Sequence, residues 1–274
     1  MPQVEAAGLQ INYDVQGEGD PLLLIPYLGA DHACFAFQLP AYAEHFSCIA
    51  IDLPGSGESE KPPGPYATDT YADQVAAFMA AAGIERAHVA GVSLGAGVAT
   101  HLAARHPDRV RSLSLHSCWD RTDAYLRAIV ESWRSLARGL PTVADVVIQG
   151  IFPFCFTPGM YNDQPDFVQG LVDFVRSRPA QPLEAFLAQS DAVLAHDASG
   201  VLARITAPTQ ITFGAHDICT STRFAEPLQG GIAGSELVVF DDLSHAALHE
   251  DAETFNRATL DFLLRQSRPV ARRE

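Results

Sequence analysis

From Leu9 to Val15 apolar and polar positions alternate, and that period of two predicts a strand with one buried face. Gly17-Glu18-Gly19-Asp20 then turns the chain. Four later runs are almost continuously apolar: Pro21 to Ile25, Ser47 to Asp52, Ala87 to Gly91 and Val110 to His116. Short runs of this kind predict strands covered on both faces. Between them the spacing becomes helical. One predicted helix spans Tyr71 to Ala82 and ends at Gly83; another spans Ala96 to Arg105 and stops before Pro107. Strands and helices alternating at short spacing imply βαβ units and a mostly parallel sheet.

The alternation breaks at Trp119. From there to about Ala198 the pattern is helical, interrupted at Gly139-Leu140-Pro141, Pro153, Pro158-Gly159 and Pro165. Strand-like runs return at Thr209 to Phe213 and Glu236 to Phe240, and a closing helix is expected over Ala252 to Leu264. The reading is an α/β core made of residues 1–118 and 199–274, with a helical insertion at 119–198. No internal repeat is visible.

Composition narrows the function classes. The 274 residues are 47% hydrophobic and 19% charged, enough for a large core without a metal or disulfide scaffold. The net charge of −15 speaks against nucleic acid or an anionic membrane as partner, since phosphates call for Lys/Arg patches. Only Arg272 and Arg273 form a basic pair near the C-terminus, and they read as a solvated tail. Five cysteines, an odd number with no C-x-x-C pair, argue against a disulfide or zinc framework and for a reduced, cytoplasmic chain. Met1 to Glu5 lack the features of a signal peptide, and no apolar run approaches the length of a membrane helix.

The candidate chemistry lies in Gly91-Val92-Ser93-Leu94-Gly95, a G-x-S-x-G sequence. Alone it is a weak signal. Here it follows an apolar strand and precedes a helix, the context of a sharp bend that lifts Ser93 out of the sheet. The helix N-terminus beneath it favours developing negative charge. A serine hydroxyl needs a base, normally a histidine held by a carboxylate. Asp217 directly follows the strand at Thr209 to Phe213, and His245 directly follows the strand at Glu236 to Phe240. Both positions are loops at strand carboxyl ends, where open α/β sheets keep their sites. Rivals exist: His249 lies four residues beyond His245, and Asp120 follows the strand that ends at His116.

These segments resemble the α/β-hydrolase superfamily over nearly the whole chain. Asp52-Leu53-Pro54-Gly55-Ser56-Gly57-Glu58-Ser59 is similar to its D-x-P-G-x-G-x-S loop, and Gly91 to Gly95 to its nucleophile elbow. Gly214-Ala215-His216-Asp217 resembles its acid turn, and Ser244-His245 its histidine loop. The nearest branch is that of esterases, enol-lactonases and aminoacrylate hydrolases. The resemblance implies an eight-stranded, mostly parallel sheet flanked by helices, with residues 119–198 as a cap. It also implies an oxyanion hole formed by the N–H groups of Leu28 and Leu94. One departure concerns Pro26 and Tyr27, which stand where the family usually has His-Gly. Tyr27 either packs or offers its hydroxyl to substrate; Tyr27 and Trp119 are the pocket candidates.

The implied reaction is hydrolysis of a small carboxylic ester, lactone or amide-like bond through an acyl-enzyme on Ser93, with no cofactor and no metal. The partner is a small-molecule substrate, and the chain acts as a monomer or homodimer. Two other readings stay open. A C–C bond hydrolase of diketones would use the same triad, but family members of that kind usually carry Trp after the catalytic histidine, where Ala246 stands here. A non-catalytic ligand receptor would keep the pocket and leave the serine poorly activated. The aromatic residues Trp133, Phe152, Phe154, Phe156, Tyr161, Phe167 and Phe174 either line the pocket or pack the insertion against the core.

Overall fold

The computed structural model describes residues 2–267, so Arg272 and Arg273 lie outside it. Eight strands form one sheet in the order β1-β2-β4-β3-β5-β6-β7-β8. They are β1 (Gln3–Ala6), β2 (Leu9–Gln16), β3 (Asp20–Ile25), β4 (Phe46–Ile51), β5 (Ala87–Val92), β6 (Val110–His116), β7 (Thr209–Gly214) and β8 (Glu236–Phe240). β1 and β2 pair antiparallel, β2 pairs antiparallel with β4, and every later pairing is parallel.

The sequence pattern did not predict β1. It is a four-residue edge strand, joined to β2 through Ala7 and Gly8, both at positive φ (51° and 76°). Two consecutive positive-φ residues make the tight hairpin turn whose twist matches the strands, but alanine is not its usual first residue.

The runs of continuous hydrophobicity have a direct structural cause. Along β3, Leu22 and Leu24 face a core layer containing Phe255, Phe262 and Leu263 of the closing helix. Leu23 and Ile25 face the opposite layer, with Tyr71, Phe78 and Val98. That second layer comes from α1 (Thr68–Ala81) and α2 (Leu94–Arg105). Between β6 and β7 the chain is helical, the longer segments being α3 (Ala124–Gly139), α4 (Pro165–Ser177) and α5 (Leu183–Ala195). A π turn at Val147–Ile151 and a short helix at Phe152–Cys155 lie between α3 and α4. After β7 come α6 (Ala225–Gly231) and, closing the described chain, α7 (Ala252–Gln266).

The strand order sets where a site can form. β4 lies on one side of β3 and β5 on the other, with Ile25 opposite Gly91 in register. The carboxyl ends of β3 and β5 are therefore neighbours where the order reverses, the usual place for a crevice in an open α/β sheet.

Candidate active site

Ser93 occupies the bend between β5 and α2 with φ 50° and ψ −117°, a conformation that side chains seldom adopt. Its N–H donates to His116 O at 2.9 Å, tying the bend to β6. The flanking glycines are required by contact. A Cβ on Gly91 would lie 2.2 Å from Gly95 O, and one on Gly95 would lie 2.1 Å from Ile25 O. A methyl at either place would push α2 off the sheet and move the serine.

Asp217 and His245 come together as the sequence suggested. His245 Nδ1 and Asp217 Oδ2 are 2.8 Å apart. Asp217 is buried, and its other oxygen accepts the N–H groups of Cys219 (2.7 Å) and Thr220 (2.9 Å). Burial pushes the Asp217 carboxyl up. The His245 charge and hydrogen bond, with the two N–H donors, outweigh this and hold it below the usual carboxylate range. Burial also pulls His245 down, but the charge and hydrogen bond of Asp217, then Cys219 and Glu250, raise it to about 9.

Ser93 and His245 open onto one cavity of about 520 Å³. No hydrogen bond joins the Ser93 hydroxyl to His245 among the described residues, and such bonds often tighten only when substrate arrives. Leu28 lines the same cavity. Among the described residues the backbone N–H groups of Leu28 and Leu94 have no hydrogen-bond acceptor, which leaves both able to donate.

The rivals are disposed differently. Asp120 forms no side-chain hydrogen bond to either histidine; its carbonyl accepts Ala198 N at 2.7 Å. His249 lines the cavity but pairs with Tyr27, Tyr27 Oη to His249 Nε2 being 3.0 Å, and among the described residues it bonds no carboxylate. Tyr27 does line the cavity. Trp119 is a correction. It is fully buried outside the cavity, with its indole against His196 at 4.6 Å and its Nε1–H donating to Thr122 Oγ1 at 2.8 Å. Ser117 has φ 51°, and two residues on Trp119 O lies 3.1 Å from Nε2 of His196, the residue that follows α5.

Several positioning residues were not read from the sequence. Ser117 Oγ donates to His245 O at 3.0 Å, and Thr220 Oγ1 donates to Ser117 O at 2.8 Å. Glu250 accepts the N–H groups of Thr157 (2.6 Å) and Ser244, and Ala246 N donates to Cys155 O at 2.9 Å. The histidine loop is thus sewn to the helical segment between α3 and α4. An Asp followed two and three residues later by its own N–H donors is a recognisable turn pattern, and Asp217-Ile218-Cys219-Thr220 carried that signal. The other contacts join residues far apart in the chain and leave no local mark.

The cavity is strongly apolar. Phe37, Trp133, Phe152, Phe156, Phe167 and Phe174 contribute to its wall, and no Lys or Arg does among the described residues. Of the seven aromatics of the helical segment weighed from sequence, Phe154 and Tyr161 are not in that wall.

A sequence model described as the alpha/beta hydrolase fold matches residues 20–252. Over 245 residues the chain is 31% identical to the pimeloyl-[acyl-carrier protein] methyl ester esterase of Neisseria meningitidis, spanning 88% of this chain and 91% of that one. Over 268 residues it is 27% identical to RutD of Azorhizobium caulinodans, provisionally named a carbamate hydrolase, spanning 96% and 98%. Among solved structures it is similar to the enol-lactonase from Burkholderia xenovorans LB400, with a TM-score of 0.87, 26% identity and coverage of 96% and 100%.

Proposed function

The chain belongs to the α/β-hydrolase fold family, and from that premise we propose that it is a serine hydrolase of a neutral, largely apolar ester or lactone. The observation that carries this reading is the buried Asp217–His245 pair, opening with Ser93 on one cavity. In the proposed reaction neutral His245 takes the Ser93 proton as Oγ attacks the carbonyl. The oxyanion is held by Leu28 and Leu94 N–H, donors of a kind worth about 10²–10³ in rate each. The His245 proton then goes to the leaving alkoxide. Water releases the acyl group by the same path in reverse, and Asp217 keeps the imidazole oriented throughout.

The cavity supports the substrate class. About 520 Å³ of aromatic and aliphatic wall suits a medium-length acyl or aryl group better than a small, polar carbamate. A substrate carboxylate would enter it without a counter-charge, at a high desolvation cost. Residues 119–198 act as the cap that closes this volume. The enzyme works in the cytoplasm, alone or as a homodimer. No helix of the described chain is long and apolar enough to cross a membrane.

The test is the Ser93→Ala variant assayed on 4-nitrophenyl octanoate beside fluorophosphonate labelling. Wild type should turn over the ester and label; the variant should do neither while keeping its melting temperature. Turnover by the pure variant defeats the reading. Slow or absent labelling of the wild type favours a ligand receptor.

A further inference from the structure

The cavity wall holds a polar pair that the proposed triad does not use. Tyr27 follows β3, and His249 sits on the single helical turn after His245, 222 residues away. Their side chains meet at 3.0 Å, Tyr27 Oη to His249 Nε2. Both residues line the cavity that contains Ser93 and His245. The tyrosine ring lies edge-on to the imidazole at 6.0 Å, and Phe37 packs against it at 5.8 Å, so the ring is held in place. His249 Nδ1 is buried and has no hydrogen-bond partner among the described residues.

Counting hydrogens shows what the pair can still do. Burial lowers His249 to about 4 and pushes the Tyr27 hydroxyl well above its ordinary value, so both are neutral at pH 7. A neutral phenol and a neutral imidazole carry two exchangeable hydrogens. Their mutual hydrogen bond uses one. If Tyr27 donates, the second hydrogen is on Nδ1; if Nε2 donates, the second is on the phenol oxygen. In either tautomer one donor is left without an acceptor among the described residues; Nδ1 is closed off, so the pair serves a ligand when Nε2 donates to the phenol oxygen and the Tyr27 hydrogen is free.

We propose that Tyr27 and His249 form a substrate subsite that donates one hydrogen bond to a neutral oxygen within the apolar part of the substrate. The oxygen is an ether, a ketone or a second carbonyl, distinct from the carbonyl under attack. No Lys or Arg lines the cavity to balance a charged one. The substrate class is therefore an apolar ester or lactone with one further oxygen acceptor. This rests on the serine-hydrolase reading above.

The experiment compares kcat/KM for 4-nitrophenyl octanoate and analogues in which successive chain methylenes are replaced by oxygen. A buried ether oxygen is penalised wherever no donor meets it. Wild type should therefore favour one position over its neighbours by about tenfold, the worth of one net hydrogen bond. Tyr27→Phe and His249→Phe should each flatten that profile. A flat profile in wild type overturns the proposal, as does a peak that survives in both variants. Failure of the hydrolase reading shows separately, as nitrophenolate release by Ser93→Ala or none by wild type. The same chain series, as ethyl esters, is then read as Kd on the Ser93→Ala protein from the fluorescence of Trp133, which lines the cavity; the same oxygen position should bind tightest, and equal Kd at every position overturns the proposal.

Discussion

At the scale of single residues, the proposed mechanism makes activity depend on the protonation state of His245. His245 must be neutral to take a proton, yet Asp217 raises it to about 9. For the free enzyme, kcat/KM should climb with pH through an apparent pKa above 6.5 and toward 9. Asp217→Asn should move that limb to lower pH while lowering the plateau by several orders of magnitude, as expected when the orienting acid is lost. The linkage to stability has a definite sign. A histidine raised from 6.5 to about 9 stabilises the fold fully below 6.5 and loses that contribution as pH rises through 9. The Asp217 carboxylate, held low, contributes above its unfolded value of 3.8 and loses its contribution as pH falls through the lower folded value. Melting temperatures of wild type and Asp217→Asn should therefore converge between pH 7 and 10. A constant gap would show that the pair is not coupled as drawn. Ser93, Asp217 and His245 could be proposed from the sequence because each closely follows a strand, and strand ends can be read from hydrophobic runs. Trp119, named as a pocket candidate, is buried against His196 and does not line the cavity. The Tyr27–His249 contact spans 222 residues and had no local signature.

At the scale of elements, the site is a set of strand ends held in register by a few backbone contacts. The bend between β5 and α2 depends on the absence of two Cβ atoms. Gly95→Ala, with a contact of 2.1 Å to Ile25 O, should cost both stability and nearly all activity, since Leu28, the proposed oxyanion donor, follows β3 by three residues. Among the contacts that hold the histidine loop after β8, one carboxylate takes two backbone donors. Glu250 takes two backbone N–H groups, one from the loop at Ser244 and one from Thr157 in the helical segment. Glu250→Ala leaves both without their acceptor, which should destabilise the protein by about 1–3 kcal/mol and lower its melting temperature by several degrees. Activity should fall further than stability alone explains, because His245 rides on the same loop. Glu250→Gln keeps one acceptor oxygen and should lose roughly half as much. Equal kcat in all three proteins would show that the loop is held elsewhere. The β strands of the core were readable from periodicity, whereas this stitching was not. Glu250 looks like any acidic residue in a helical turn until the fold brings Thr157 to it.

At the scale of the whole molecule, the division of labour lies between the carboxyl ends of the central strands and a helical segment that supplies about half of the cavity wall. The sequence showed that a helical stretch interrupts the α/β alternation, because proline and glycine break its pattern where strands had been regular. It could not show which aromatic side chains of that stretch face inward, since packing and lining demand the same residue types. In the folded chain Phe152, Phe156, Phe167 and Phe174 line the cavity while Phe154 and Tyr161 do not. If this volume receives the acyl group, filling it should change chain-length preference without disturbing the chemistry. Leu171 is a suitable place, being a buried residue of α4 that lines the cavity. In Leu171→Trp the added ring has empty volume to enter, so the overpacking cost that a filled core would impose is largely avoided. The melting temperature should stay within a few degrees of wild type. On a 4-nitrophenyl ester series, octanoate should lose about tenfold or more in kcat/KM while acetate changes little, since each displaced methylene is worth about 1–3 kcal/mol. A uniform loss at every chain length would instead mean that the leaving group, not the acyl chain, occupies the aromatic chamber.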